Sequence, residues 1–501
     1  MKPADNTLYT CSAVCALIML DTNVVAVSLP AIARSLQASF ADVEWVVSAY
    51  MLAFASFLLP AGSIADRLGR RRVMLCGLLL FALASLLCGA AWTPFVLNLA
   101  RAAKGIGAAL LLTSALAVIS HTFQGEAERA RAWSIWGAAM GVAMTVAPLL
   151  GGLLTSALGW RWIFYLNLPV VAVLMLLVSK HVTESKNPAS ARFDPLGALL
   201  FSAGLFCLIW GLIDAGVAGW SSTTTVTRFA LGALLLAAFV VVEHKVRAPM
   251  VDLSLFGRRV FVGAVLGMLG YAVSAQVMMT FLPLYLQNAF GYSAVLAGCA
   301  MLPFAVAMVV ASRLAPRYGR WLQDRGMLVT GLLIVASGNA AGAVAAASLS
   351  YGWVALAMVV TGLGAGLLNG TTQKAILAGI PRERSGMGSG ISTTTRFTGI
   401  VLAVGGLGAV LAQRTGAAFE RLSWLHGLHA SPEMVGRIVA GNAADAFGQL
   451  PPGMREVAAE AARQAFTEGF AGVLWLASVL AILSALLVLI LARPGLKNVT
   501  V

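Results

Sequence analysis

Charge is scarce in this 501-residue chain: only 11% of its residues are Asp, Glu, Lys or Arg. Soluble domains carry roughly 25%, so the scarcity excludes an ordinary soluble fold. Histidine is scarce too. The five residues His121, His181, His244, His426 and His429 fall in connecting segments and offer no metal site. Six cysteines (Cys11, Cys15, Cys76, Cys88, Cys207, Cys299) lie in or beside apolar runs with no CxxC pair and no Cys/His ligand spacing. They read as helix-packing residues. Nucleotide-binding loops are missing. The glycine cluster Gly386-Met-Gly388-Ser-Gly390 has no strand before it and no Lys-Ser/Thr after it. No group of carboxylates, His or Cys gathers at one depth of an apolar segment, so the expectation is no enzyme, no cofactor and no metal. Alternating segments of about 10 residues, the mark of an outer-membrane barrel, are absent as well.

What the chain has in excess is apolar length. It is 59% hydrophobic, arranged in runs of about 20 residues, enough to cross a hydrocarbon core of roughly 30 Å. A bilayer cannot satisfy open backbone groups, so such runs must be helices. Spans are expected at about 9–31, 45–65, 73–91, 95–119, 133–157, 162–179, 195–217, 226–243, 260–286, 294–313, 326–347, 353–374, 387–411 and 468–492. The first run leads straight into Asp21 and Pro30 without a small-residue cleavage pattern, so a cleaved signal peptide is not expected.

The formal charge of +14 resolves into a topology signal. With the amino terminus inside, inner segments hold 23 of the 34 Lys and Arg and outer segments eight, five of these in one long outer segment at about 412–467. Both termini are therefore expected on the cytoplasmic side, and nucleic acid is not an expected partner. A weak internal repeat accompanies this pattern. Gly62-Ser-Ile-Ala-Asp66-Arg67-Leu-Gly69-Arg70 follows the second span, and Ser312-Arg-Leu-Ala-Pro-Arg317-Tyr-Gly319-Arg320 follows the tenth. Lys104-Gly-Ile-Gly-Ala likewise echoes Thr361-Gly-Leu-Gly-Ala. The shared offset implies an all-α integral membrane fold: two six-helix bundles in pseudo-twofold parallel repeat, plus an inserted helix pair. The expected units are 1–190, 191–250 for the inserted pair, and 251–501 with its outer loop at about 412–467.

Four stretches carry chemistry. The loop Gly62-x-x-x-Asp66-Arg67-x-Gly69-Arg70-Arg71-Arg72 has glycines for a tight turn between close helices and an acid able to face a helix N-terminus. Leu20-Asp21-Thr-Asn23-Val-Val-Ala26-Val-Ser28-Leu-Pro30 sets a carboxylate near mid-span, where ionisable groups are costly and functional by default. Arg101-Ala-Ala-Lys104-Gly105-Ile-Gly107 sets two cations three apart, on one helix face at a similar depth. Gly137-x-x-x-Gly141 and Ala147-Pro148-Leu-Leu-Gly151-Gly152 combine small residues for close helix approach with a proline bend.

Together these stretches resemble the major facilitator superfamily, and more narrowly its 14-helix drug:proton antiporter subfamily, over nearly the whole chain. The loop is similar to the superfamily's signature between helices 2 and 3, which implies that Gly62, Asp66, Arg67, Gly69 and Arg70 form a conformational switch. The Asp21 stretch resembles the subfamily's helix-1 motif, with Asn23 and Ala26 in place of the usual Thr and Asn. The Arg101 stretch is similar to Arg-x-x-Gln-Gly-x-Gly, but Lys104 stands where Gln is usual; the resemblance implies that Arg101 tunes a carboxylate. Gly141, Pro148, Gly151 and Gly152 resemble the antiporter motif of helix 5, with Ala147 in place of Gly. Trp160-Arg-Trp162-Ile-Phe-Tyr-Leu-Asn167-Leu-Pro169 and Gly386-Met-Gly388-Ser-Gly390…Arg396-Phe-Thr-Gly399 match the subfamily's helices 6 and 13.

The resulting expectation is proton-coupled efflux of small amphipathic compounds, such as drugs or antibiotics, by alternating access. Asp21 would carry the proton. Asn23, Lys104, Trp136, Gln276, Tyr285 and Arg396 are candidates for the substrate cavity. Trp45 reads as an interface-belt residue and Asp214 as a rim acid. One central acid against Arg101, Lys104 and Arg396 shifts the expected substrate from lipophilic cations toward neutral, zwitterionic or weakly anionic compounds. The alternatives are a carrier of one specific metabolite, in either direction, or the inner-membrane member of a tripartite pump. The expected partners are a small-molecule substrate, protons and lipid, in a monomer resident in a bacterial inner membrane.

Overall fold

The computed structural model describes residues 3–186, 194–246, 249, 251–380, 385–424, 431–441, 447 and 451–491. Fourteen helices in it are long and apolar enough to cross a membrane. They are α1 Pro3–Leu36, α2 Phe40–Leu68, α3 Arg70–Ala90, α4 Pro94–Thr122, α5 Glu126–Ala157, α6 Trp162–His181, α7 Pro195–Ala218 and α8 Thr223–Lys245, then α9 Arg259–Phe290, α10 Ala294–Gly319, α11 Trp321–Ala347, α12 Tyr351–Ala378, α13 Ser385–Trp424 and α14 Pro452–Leu491. All fourteen expected spans are present, and the helices extend beyond them. Lys2, Arg192, Arg247, Arg382, Arg384, Arg493, Lys497, His426 and His429 lie outside the described residues.

Polar residues punctuate the helix ends. Ser39 and Asp42 form a reciprocal capping box at α2, and Thr93 caps α4 ahead of Pro94. The Asp194 carboxylate accepts from the amides of Leu196 and Gly197 at 3.1 and 3.0 Å at the start of α7. Gly291, in the left-handed region, ends α9.

Helices α1 to α6 pack together as one half, and α9 to α14 as the other. The pair α7 and α8 sits against α2 and α13 through α7, while α8 is the least buried span. The Trp45 ring lies 5.4 Å from that of Phe206 on α7. Asp214 and Arg228 close an ion pair of 2.6 Å within the inserted pair, and the Arg228 guanidinium covers the Trp210 ring at 4.1 Å.

Three expectations need correction. The second copy of the loop motif, Ser312–Arg320, is helical: the helix runs on from α10 through it into the first residues of α11, and the backbone leaves helical geometry at Gln323, with φ 54. Its Pro316 lies within the helix and leaves the break to Gln323. The outer segment at 412–467 is not a loop over its described residues. Helix α13 continues to Trp424, a short helix spans Pro432–Val439, and residues 453–466 are the helical first part of α14. Third, Gly62 makes no close approach, since a Cβ there would meet nothing within 4 Å.

The two ends of the molecule differ. At the end opposite the Gly62–Arg72 loop, the halves are pressed together. A Cβ on Gly152 or Gly298 would strike backbone carbonyls of Ala294 and Pro148 across the α5–α10 contact. A Cβ on Gly408 of α13 would strike the Glu44 carboxyl of α2, and Gln287 of α9 donates to the Val27 carbonyl of α1 at 2.9 Å. At the loop end, Gly137 and Gly370 face open space and Gly141 approaches only Val309, at 3.9 Å. The halves are closed at one end and parted at the other.

Candidate functional site

The centre of the first half is built around Asp21, which is wholly buried. Its Oδ1 accepts one hydrogen bond from Lys104 Nζ and another from Asn167 Nδ2 at 3.0 Å. Its Oδ2 accepts from Arg101 Nη1 at 3.1 Å. Helix α4 delivers both cations because positions three apart share a face. The glycines beside them let α4 approach closely. A Cβ on Gly105 would strike the Tyr50 carbonyl of α2, and one on Gly107 would meet Phe81 N of α3 at 3.0 Å.

Two buried cations on one carboxylate leave excess positive charge, which aromatic faces absorb. The Arg101 guanidinium lies 4.2 Å from the Tyr50 ring centroid, and the Lys104 ammonium lies 4.6 and 5.0 Å from those of Phe81 and Phe164. Arg101 Nε also donates to the Val46 carbonyl at 3.0 Å. The three hydrogen-bond partners of Asp21 are all donors and two are cations, so a proton on the carboxylate would loosen its hold on Arg101 and Lys104.

The second half has a different centre. Arg396 of α13 donates through Nε to Gln276 Oε1 at 2.6 Å, and through Nη2 to Asn369 Oδ1 at 2.5 Å and Tyr271 Oη at 3.3 Å. The π-helical turn Ala272–Gln276 makes this possible. In a regular helix, residues five apart point about 140° away from each other. An i→i+5 turn stacks them, so Tyr271 and Gln276 reach the same guanidinium.

Aromatic contact joins the two centres. Arg101 rests on Tyr50, Tyr50 stacks on Phe54 at 6.1 Å, and Phe54 meets Phe397 edge-on at 4.4 Å, next in chain to Arg396. The last of these contacts crosses from α2 to α13, hence from one half to the other.

The structure thus gathers Asp21, Arg101 and Lys104 as sequence spacing suggests, and brings Gln276 to Arg396. Other candidates lie elsewhere. Asn23 turns back to the Met19 carbonyl at 2.7 Å. Trp136 meets Trp133 edge-on at 5.6 Å and belongs to neither centre. Tyr285 is fully buried within the second half, stacked on Phe470 at 4.2 Å with its hydroxyl on the Ala346 carbonyl at 3.3 Å, and lines a pocket there with Met278 and Asn339. Pro148, Gly151 and Gly152 instead form the α5 surface against α1 and α10.

In the loop, Asp66 does not cap a helix. It accepts from Arg70 Nε and Nη2 at 3.0 and 2.9 Å, while Arg67 is exposed. Helix α3 is capped by Glu184, whose oxygens accept from the amides of Arg71 and Arg72 at 3.1 and 3.2 Å. Gly69, at φ +116, lets the chain turn there. All of these partners belong to the first half. Sequence reasoning missed Glu184 and Asn369; Asn369 carries a signal that was available, an amide within an apolar span.

Comparison with known proteins agrees with this architecture. The model of the Major Facilitator Superfamily matches residues 11–404. The multidrug resistance protein Stp of Mycobacterium tuberculosis is 34% identical over 404 residues, covering 81% of this chain and 75% of that one. The tetracenomycin C resistance and export protein of Streptomyces glaucescens is 31% identical over 405 residues, covering 80% and 75%. A bacterial homologue of the human lysosomal transporter Spinster, solved in an inward-facing and unoccupied conformation, superposes with a TM-score of 0.61 at 18% identity, covering 99% of this chain and all of that one. A family model that spans most of the chain, relatives matched along four-fifths of it, and two six-helix halves around buried central charges converge on one assignment: the chain belongs to the Major Facilitator Superfamily.

Proposed function

We propose that this protein exports small amphipathic compounds, such as drugs or antibiotics, in exchange for protons. The observation that carries the reading is Asp21, a sealed carboxylate held only by donors in a chain whose sequence offers no nucleotide loop. Relatives named for multidrug resistance and for resistance and export support the direction of transport.

The mechanism follows from competition for Asp21. Arginine-rich segments at the loop end assign that end to the cytoplasm, with both termini there, in a bacterial inner membrane. The conformation described above is then open inward, as left once substrate binding has released the Asp21 proton to the cytoplasm and its cations have re-engaged. Substrate enters from the cytoplasm. After the molecule reopens outward, a proton from outside takes Asp21 and frees one of its cations. The Arg101–Tyr50–Phe54–Phe397 contact then carries the change to the second half. The loop around Gly62 and Asp66, open in this state, meets the second half when the inner end closes. Gly141, Pro148, Gly151 and Gly152 supply the surface on which α5 rocks against α10. The units 1–190 and 251–501 are the two rocking bodies, with 191–250 riding on the second helix and α13. The protein acts as a monomer and performs no catalysis.

Purified protein in proteoliposomes, given an imposed pH gradient and a panel of cationic, neutral and anionic antibiotics, tests this. At least one compound should move against its concentration gradient and stop when a protonophore is added. Movement indifferent to the pH gradient for every compound would refute proton exchange.

A further inference from the structure

The second half holds an uncompensated charge. Among the described residues no carboxylate lies within ion-pair distance of Arg396; its partners Gln276, Asn369 and Tyr271 are all neutral acceptors. Nor can one arrive by a small movement, because no Asp or Glu occurs between Asp252 and Asp324, between Asp324 and Glu383, or between Glu383 and Glu420. The central parts of α9 to α13 therefore carry one cation and no acid. The first half does not supply the missing charge either: Asp21 is shared by Arg101 and Lys104, and the buried Glu44 lies against Gly408, twelve residues along α13 from Arg396.

An isolated cation at mid-membrane is costly, and polar neighbours alone do not cancel its charge. Arg396 differs from the Asp21 centre in a second respect. Asp21, Arg101 and Lys104 are 0 to 1% exposed, whereas Arg396 is only partly buried. Its neighbour Phe397 touches Phe54 of the opposite half, which sets Arg396 beside a contact between the halves. Nε and Nη2 are taken by Gln276 and by Asn369 and Tyr271, which fix the guanidinium plane. Among the described residues no bond occupies Nη1, so the fork retains donors in a set orientation. Planar guanidinium donors held this way are suited to a carboxylate.

We infer that Arg396, oriented by Gln276, Asn369 and Tyr271, is the subsite that receives an anionic group of the substrate, so that the transported class includes lipophilic monocarboxylates. This rests on the exporter reading given above. The substrate's acid supplies the counter-charge that the second half lacks. Proton and substrate are then held by different halves, and the aromatic contact between α2 and α13 joins the two sites.

Matched pairs of aromatic carboxylic acids and their methyl esters separate charge from shape. Binding to the purified full-length protein would be measured by equilibrium dialysis for the wild type, Arg396→Gln and Arg396→Lys. The acids should bind the wild type more tightly than their esters. Arg396→Gln should weaken the acids by about tenfold or more, the usual value of a hydrogen bond to a charged group, while leaving the esters unchanged. Arg396→Lys should keep part of the preference, which also shows that the site tolerates substitution. Equal weakening of acid and ester would make Arg396 a structural residue and overturn the subsite. So would a wild type that binds the acids no better than the esters. If the acids fail to bind while a pH gradient still drives export of other compounds, the subsite falls and the exporter reading stands. If no compound of any charge is moved, the exporter reading fails first.

Discussion

Asp21, Arg101 and Lys104 could be found from the sequence because the membrane makes them conspicuous. An ionisable residue in the middle of an apolar run has few reasons to be there, and a spacing of three sets both cations on one face. What could not be read was how tightly the three are tied, or that Asn167 completes the set. Those facts depend on how α1, α4 and α6 meet. The ties make a stability prediction. Asp21→Asn leaves two buried cations with one neutral partner, and breaking a buried pair costs about 3–5 kcal/mol. Adding Lys104→Gln removes one of the stranded charges. The double variant should unfold at a higher temperature than Asp21→Asn alone, with a coupling of about 1–3 kcal/mol. Thermal unfolding in detergent measures it; additive losses would show that Lys104 does not depend on Asp21.

Helices were legible in number and order because each needs only an uninterrupted apolar run. Their local departures were not. The π-helical turn at Ala272–Gln276 leaves no mark in composition, and it is the feature that brings Gln276 and Tyr271 to Arg396. Ser312–Arg320 resembles a loop in its residues but continues α10 as a helix. Glu184 caps a helix more than a hundred residues before it in the chain, a contact that no local window contains. Glycine-rich α5 was readable as a packing surface, though its partner was not. That partner gives a prediction at the level of elements. A side chain at Gly298 would collide with the Pro148 carbonyl, so Gly298→Val should hold α5 and α10 apart at the closed end and lower transport by at least about tenfold, the effect of some 1.4 kcal/mol. Gly352→Ala, in open space, should transport normally. Efflux assays on both, at matched membrane levels, decide this; normal export by Gly298→Val would mean that the closed contact is not part of the cycle.

For the molecule as a whole, the repeat in the sequence announced two related halves, and the positive-inside bias suggested which end faces the cytoplasm. Nothing in the chain announced that the halves would be closed at one end and parted at the other. Closure is a property of surfaces from different halves, and the same glycines permit contact at either end. Alternating access requires the two ends to move in opposite senses. Spin labels at Leu68 and Lys374 report the loop end, and labels at Leu158 and Leu296 report the other; all four positions are exposed. Conditions that protonate Asp21 should bring the first pair together and separate the second. Distances that change in the same sense at both ends, or at neither, would contradict rocking.

The central claim is that substrate movement is coupled to the proton carried by Asp21. Its most direct test is proton release from purified, weakly buffered protein on addition of a transported compound, compared with Asp21→Asn and with the stabilised Asp21→Asn, Lys104→Gln variant. The wild type should release protons on binding, and both variants should bind the compound without release. Release that persists in the variants, or wild-type binding with no release at any pH, would contradict the account.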